Sequence, residues 1–128
     1  MPAKRVVIID DEADIREVVA LALECSGVEV MAAEGGLAGL RAALERCPDL
    51  ILLDVMMPEL DGPSTFRLLR QAEATRAVPV IFLTAKVQAA DQRNLIALGA
   101  LGIIAKPFDP MRLVEEISAL AGWTSCTD

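Results

Sequence analysis

Three carboxylates, a hydroxyl and an ammonium stand at equivalent places in this sequence, each directly after a short apolar run. Asp10 and Asp11 follow VVII, Asp54 follows LILL, Thr84 follows VIFL and Lys106 follows GIIA. A single Asp or Thr at such a position is often only a turn or helix cap, so the weight falls on the set. Two unit charges ~4 Å apart at an effective dielectric of ~20 repel by ~4 kcal/mol, and gathered acids therefore require a cation or partial protonation. All-oxygen ligation selects a hard ion, and Mg2+, which takes one or two protein carboxylates and keeps several waters, is the best match. A carboxylate beside Mg2+, an ammonium and a hydroxyl are the parts that transfer a phosphoryl group onto an aspartate. In that chemistry Asp54 approaches phosphorus in line, Lys106 and the metal screen the phosphoryl oxygens, and Thr84 donates to one of them once transfer is complete.

Such a set works only if the fold gathers it. The strand candidates are RVVIID (5–10), VEVMAA (28–33), DLILLD (49–54), VPVIFLT (78–84) and LGIIAK (101–106). Between them apolar residues recur at helical spacing, as in Ile15, Val18, Val19, Ala22 and Leu23, in Leu37, Leu40 and Leu44, and in Leu113, Val114, Ile117, Leu120 and Ala121. Asp109 and Pro110 suit the cap and first turn of the last helix, Gly27 and Gly99 suit helix stops, and Pro48 lies just past the second helix. Alternating strands and helices require right-handed crossovers and a parallel sheet covered on both faces, which is why the strands read as almost uniformly apolar. The expected architecture is α/β: one domain over residues 1–128 (core 4–121, tail 122–128), a flavodoxin-like (βα)5 doubly wound parallel sheet of five strands in the order 2-1-3-4-5. All five strands then end on one edge, and the reversal of order between the first and third brings Asp10 and Asp11 beside Asp54.

Composition narrows the classes further. A chain of 128 residues fits one domain, and a domain of that size buries roughly 68% of its unfolded surface. The longest apolar runs, VVALAL and LILL, fall far short of the ~20 residues of a membrane helix, and MPAKRVVIID meets charge too early for a signal-peptide core. The expectation is a soluble cytoplasmic protein with no membrane partner. The chain has no histidine, which excludes histidine-based catalysis within it. A net charge of -7 with no basic cluster argues against direct nucleic-acid binding. Cys25, Cys47 and Cys126 are odd in number and lack metal-ligand spacing, so they read as reduced thiols, with Cys25 and Cys47 packing as small hydrophobes near helix ends.

With these residues in place, the chain resembles the receiver domains of two-component response regulators, and is most similar in length and organisation to stand-alone receivers of the chemotaxis type. The resemblance spans residues 4–121 and rests on IIDDE, LLDVMMPELDG (52–62), FLTA (82–85) and KPF (106–108), in the family's order and spacing. It implies that Asp54 accepts phosphate from the phosphohistidine of a histidine kinase or histidine phosphotransfer protein. It also implies that Asp11, Asp54 and the backbone carbonyl of Met56 bind Mg2+, with Asp10 acting through a water, while Thr84 and Lys106 hold the phosphoryl group. The Lys106–Pro107 peptide should be cis, and Pro58 with Asp61-Gly62 should shape the loop after Asp54. Such a protein is not an enzyme but a signalling phosphoacceptor that assists its own phosphorylation and dephosphorylation. Adding roughly -1.5 to -2 charge at Asp54 would draw in Thr84 and Lys106. The movement would shift a face made by the fourth helix, fifth strand and fifth helix, which meets a downstream protein target.

The chain departs from this family at two places. Relatives carry Tyr or Phe three residues before the lysine of KPF, where this chain has Ile103, and Leu101 replaces a residue that is commonly polar or acidic. With Trp123 these side chains are expected to form an apolar patch on the switching face, a surface for a partner or a homodimer; the plainer reading packs Ile103 under the fourth helix and Trp123 over the end of the fifth. Met56 and Lys86, two residues after Asp54 and Thr84, flank the approach of a hydrolytic water and tune dephosphorylation, and a bulky Met56 implies a long-lived phosphoaspartate. Two other classes compete. A Mg2+-dependent aspartyl-phosphate phosphohydrolase usually has a second acid two residues after its nucleophile, where this chain has Met56. A non-phosphorylated docking module would leave the acidic pocket unused. A flavodoxin-like cofactor binder would need a hydroxyl-rich phosphate loop in place of the acids.

Overall fold

Each apolar run becomes a strand and each amphipathic stretch a helix in the computed structural model, which describes residues 4–85 and 88–123. In chain order the elements are β1 (Arg5–Ile9), α1 (Ala13–Glu24), β2 (Glu29–Ala33), α2 (Gly36–Arg46), β3 (Leu50–Asp54), α3 (Gly62–Gln71), β4 (Val80–Thr84), α4 (Ala89–Ala97), β5 (Gly102–Ala105) and α5 (Pro110–Ala121). The sheet is parallel throughout, in the expected order β2-β1-β3-β4-β5. The strands are slightly shorter than the apolar runs suggest. Asp10 and Lys106 lie one residue past β1 and β5, although their amides still extend the ladder, to the carbonyls of Ala33 at 3.1 Å and Thr84 at 2.8 Å.

Period-two alternation splits the strand side chains between two apolar layers. Val6, Ile8, Leu50, Leu52, Ile81, Leu83 and Ile104 pack with Val19 and Leu23 of α1 and with Leu113 and Ile117 of α5. Val7, Ile9, Ile51, Leu53, Val80 and Phe82 pack on the other face with Ala43 of α2, Phe66 and Leu69 of α3 and Leu95 of α4. β3 and β4 are buried at every position because both faces are covered and neither strand is an edge. Their register is therefore firmly specified, since a one-residue slip would exchange the two layers.

Helix ends follow local chemistry. The Asp61 carboxylate accepts from the Ser64 amide at 2.9 Å at the start of α3, and Asp109 accepts from the Met111 amide at 2.9 Å ahead of Pro110 in α5. Gly27 and Gly99 adopt positive φ after α1 and α4, as their placement suggested. The cysteine expectation needs correcting. Cys25 and Cys47 do sit at helix ends, but both are exposed, because each occupies a C-cap beyond the last core-facing residue of its helix. Cys126 lies outside the described residues.

Candidate functional site

Where β1 ends, the chain must leave the sheet, and Asp10 governs how. It is fully buried, and every polar group it carries has a partner. Its amide reaches Ala33, its Oδ1 accepts from the Glu12 amide at 2.9 Å, its Oδ2 accepts from Lys106 Nζ at 2.8 Å, and its carbonyl accepts from Arg16 Nη1 at 2.9 Å. The Oδ1 bond to the amide two residues on is the local turn that Asp favours. Lys106 Nζ also donates to Asp54 Oδ1 at 3.1 Å and lies 3.9 Å from Glu12 Oε1. One ammonium therefore joins acids from the ends of β1 and β3, which are 44 residues apart in sequence and neighbours in the sheet.

Asp54 and Thr84 are the last residues of β3 and β4 and are almost fully buried. The Thr84 carbonyl accepts from the Lys106 amide, so backbone pairing fixes the lysine beside the threonine. The Lys106–Pro107 peptide is cis. After Asp54 the chain turns sharply: the Leu60 amide bonds the Pro58 carbonyl at 2.8 Å around Glu59, whose φ is +68°, a tight γ-turn of the strained hand. The Gly62 amide then bonds the Val55 carbonyl at 2.9 Å. A Cβ at Gly62 would collide with the Asp54 carbonyl oxygen, so this close approach requires glycine.

The electrostatics follow from burial. Removal from water pushes the Asp54 carboxyl up to about 6, with the charge of Asp10 adding to the effect and the Lys106 bond opposing it. Burial alone would lower the Lys106 ammonium, but its bonds and charge interactions with Asp10 and Asp54 outweigh that and raise it. The pocket thus holds more negative charge than one lysine neutralises. Asp10, Asp11 and Glu12 each offer a carboxylate oxygen within 4.8 Å of the others, with Asp10 buried and the other two open to solvent. An all-oxygen, strongly anionic donor set with a wet side fits a hard divalent ion that keeps part of its water shell.

The structure brings Asp10, Asp54, Thr84 and Lys106 to one edge, with Asp11 on the rim. Met56 is 62% exposed in the loop after Asp54. Lys86 lies outside the described residues. Ile103, Leu101 and Trp123 are placed differently. Ile103 packs against the layer under α4, while Trp123 packs against the opposite layer, with Lys4 Nζ 5.5 Å from its ring centroid. Leu101 precedes β5 and is partly exposed. Ile103 and Trp123 thus lie on opposite faces of the sheet and do not form one patch. Two neighbours of the site were missed in the sequence. Glu12 was signalled by being the third acid of IIDDE, whereas Arg16 carried no signal, because its role depends on the path of the loop.

Residues 6–118 match the family described as the response regulator receiver domain. The chain belongs to that family. Receiver domains are the phosphoacceptors of two-component signalling, and they generally bind Mg2+ at an acidic pocket. The receiver is 41% identical over 120 residues to the phosphate regulon transcriptional regulatory protein PhoB of Pseudomonas aeruginosa, a match covering 94% of this chain and 52% of the relative. It is 38% identical over 116 residues to the DNA-binding dual master transcriptional regulator RpaA of a Synechocystis strain, covering 91% of this chain and 48% of that protein. The receiver thus spans about half the length of the curated relatives it matches. Among solved structures, the chemotaxis response regulator CheY4 of Vibrio cholerae superposes with a TM-score of 0.88 at 28% identity, covering 93% of this chain and 99% of that one. The receiver domain of the sensor histidine kinase PA1611 from Pseudomonas aeruginosa, solved with a magnesium ion coordinated in its active site cleft, gives a TM-score of 0.84 at 30% identity, covering 94% and 99%. Among the described residues, no helix is long and apolar enough to cross a membrane.

Proposed function

We propose that Asp54 is the residue phosphorylated in this receiver, and that a histidine kinase or histidine phosphotransfer protein supplies the phosphoryl group. The observation that carries this reading is the Lys106 ammonium held at 2.8 Å from the buried Asp10 and 3.1 Å from the buried Asp54, beside the solvent-facing acids Asp11 and Glu12. An Asp54 carboxylate oxygen forms a bond to phosphorus as the P–N bond of the donor phosphohistidine breaks, and the electron pair returns to the donor imidazole. Lys106 exchanges its Asp54 oxygen for a phosphoryl oxygen, and the Thr84 hydroxyl donates to another. Asp11, Asp54 and the Met56 carbonyl would hold Mg2+, with Asp10 acting through a water. When bound, the ion screens charge on the phosphoryl oxygens. Asp10 serves mainly as an anchor, since both of its carboxylate oxygens are engaged by Glu12 and Lys106.

The reading is supported by the chemistry of the acid set and by membership of a family of phosphoacceptors. It makes the protein a signalling switch rather than a turnover enzyme, acting in the cytoplasm on a downstream protein without touching nucleic acid through these residues. The switching face is α4, β5 and α5. To invert a 1:99 population, phosphorylation must favour the active state by ~5.5 kcal/mol, which requires several contacts at Thr84 and Lys106 together. Incubation with acetyl phosphate and Mg2+, followed by intact and peptide mass spectrometry, is the test. Wild type is expected to gain one phosphoryl group on the peptide bearing Asp54, and Asp54→Asn none. Equal labelling of the two, or no labelling of wild type, overturns the assignment. Met56 at the mouth of the site is expected to slow water attack, and an unchanged phosphoaspartate half-life in Met56→Asn would remove that role.

A further inference from the structure

α1 begins without a side-chain cap, since the Glu12 carboxylate at its N-cap position accepts no bond from the first turn. The loop between β1 and α1 is held instead from both ends of Asp10. Its carboxylate takes the Glu12 amide, and its carbonyl takes the guanidinium of Arg16, six residues on. Helical side chains lean toward the N-terminus of their helix, so an arginine closing the first turn of α1 naturally reaches back over the helix start. The carbonyl it grips belongs to the peptide plane whose other end is the Asp11 amide, and that plane sets the direction in which Asp11 leaves the loop. Asp11 is exposed and its carboxylate lies in the acid cluster. Without an anchor on this peptide, mutual repulsion would splay Asp10, Asp11 and Glu12.

We propose that Arg16 is a positioning residue: by fixing the Asp10–Asp11 peptide it aims the Asp11 carboxylate at the divalent cation and holds the acidic loop together before the ion arrives. The inference rests on the receiver reading of the site. It assigns the effect to geometry rather than to charge, because a planar guanidinium donates along fixed directions whereas an ammonium is a mobile point charge. The two accounts differ in sign. If Arg16 acted only by its charge, removing it would strengthen cation binding and Arg16→Lys would change nothing.

The test measures Mg2+ affinity by calorimetry, and amide hydrogen exchange at Glu12 in the metal-free protein, for wild type, Arg16→Lys and Arg16→Met. Both variants are expected to bind Mg2+ roughly 10-fold more weakly, the low end for partners that orient a metal ligand. Both are also expected to exchange the Glu12 amide faster, with β3 and β4 amides unchanged. Unaltered affinity and exchange in Arg16→Lys, or tighter Mg2+ binding by Arg16→Met, overturns the proposal while leaving the phosphoacceptor reading intact. Failure of wild type to bind Mg2+ overturns both. Should Arg16→Met lose its fold, Arg16→Lys alone decides the matter.

Discussion

The two edges of the sheet carry similar charges in opposite settings. At the edge where the strands end, Lys106 meets Asp10 with side chains 13% and 0% exposed. At the edge where they begin, Arg5 meets Glu29 at 3.7 Å with side chains 54% and 62% exposed. The first pair sits where water cannot relieve an imbalance, so its acids stay under electrostatic stress until a cation or a phosphoryl group changes the charge count. The second is screened by solvent and settles into a nearly neutral contact. Reactivity at one edge and quiet tethering at the other thus follow from burial rather than from residue type.

Four expectations sharpen this contrast. The largest is for Lys106→Ala, which leaves two buried acids with no countercharge; metal-free stability in urea should fall by about 3 kcal/mol, and Mg2+ should restore part of it. A loss below that of an ordinary surface substitution would show that the pocket is wetter than its burial implies. Next is Asp54→Asn. Its carboxyl titrates at about 6 in the folded chain against 3.8 for the free group, so as pH rises from 4 the unfolded state ionises first. Wild type therefore loses stability relative to the variant between pH 4 and 6 and stays below it at pH 7. The gap, read from denaturant midpoints without metal, should reach at most about 3 kcal/mol; one that did not change with pH would contradict the buried-acid account.

Smaller effects belong to groups that solvent reaches. Asp61→Ala removes the cap of α3 and should cost about 1 kcal/mol. Because the Ser64 backbone bond lowers the Asp61 pKa in the folded state, that contribution is present above the ordinary carboxylate range and is lost as pH falls below it through the lowered folded value. The variant should therefore converge with wild type in acid. Smallest is the opposite edge: a double-mutant cycle on Arg5 and Glu29 should give a coupling under about 0.5 kcal/mol, fading further with salt. A coupling comparable to that at Lys106 would erase the distinction between the edges.

Much of this was legible before any coordinates. Runs such as VVII and LILL announced buried parallel strands, and the polar residue closing each run marked where the strand ends. Parallel pairing then forced Asp10, Asp54, Thr84 and Lys106 onto one edge whatever the details of packing. Glu12 was visible as a third acid but not as a neighbour of Lys106, since that depends on the turn after Asp10. An edge position for the fifth strand suggests one patch of Leu101, Ile103 and Trp123, whereas the plainer reading packs Ile103 under the fourth helix, where the structure has it. Strand parity sends Ile103 under α4, while Trp123 follows α5, which packs on the other face of the sheet, and lies beside Lys4.

The sequence by itself determined the order of elements, the edge on which the chemistry lies and the types of side chain available there, because alternation and strand direction are local properties of the chain. Tertiary structure alone decided which of those side chains touch, which are stripped of water and which loop peptides are gripped from a distance. Contacts such as Lys106 with Asp54, or Lys106 with Asp10, exist only once separate elements are packed, and desolvation is a property of the packed whole.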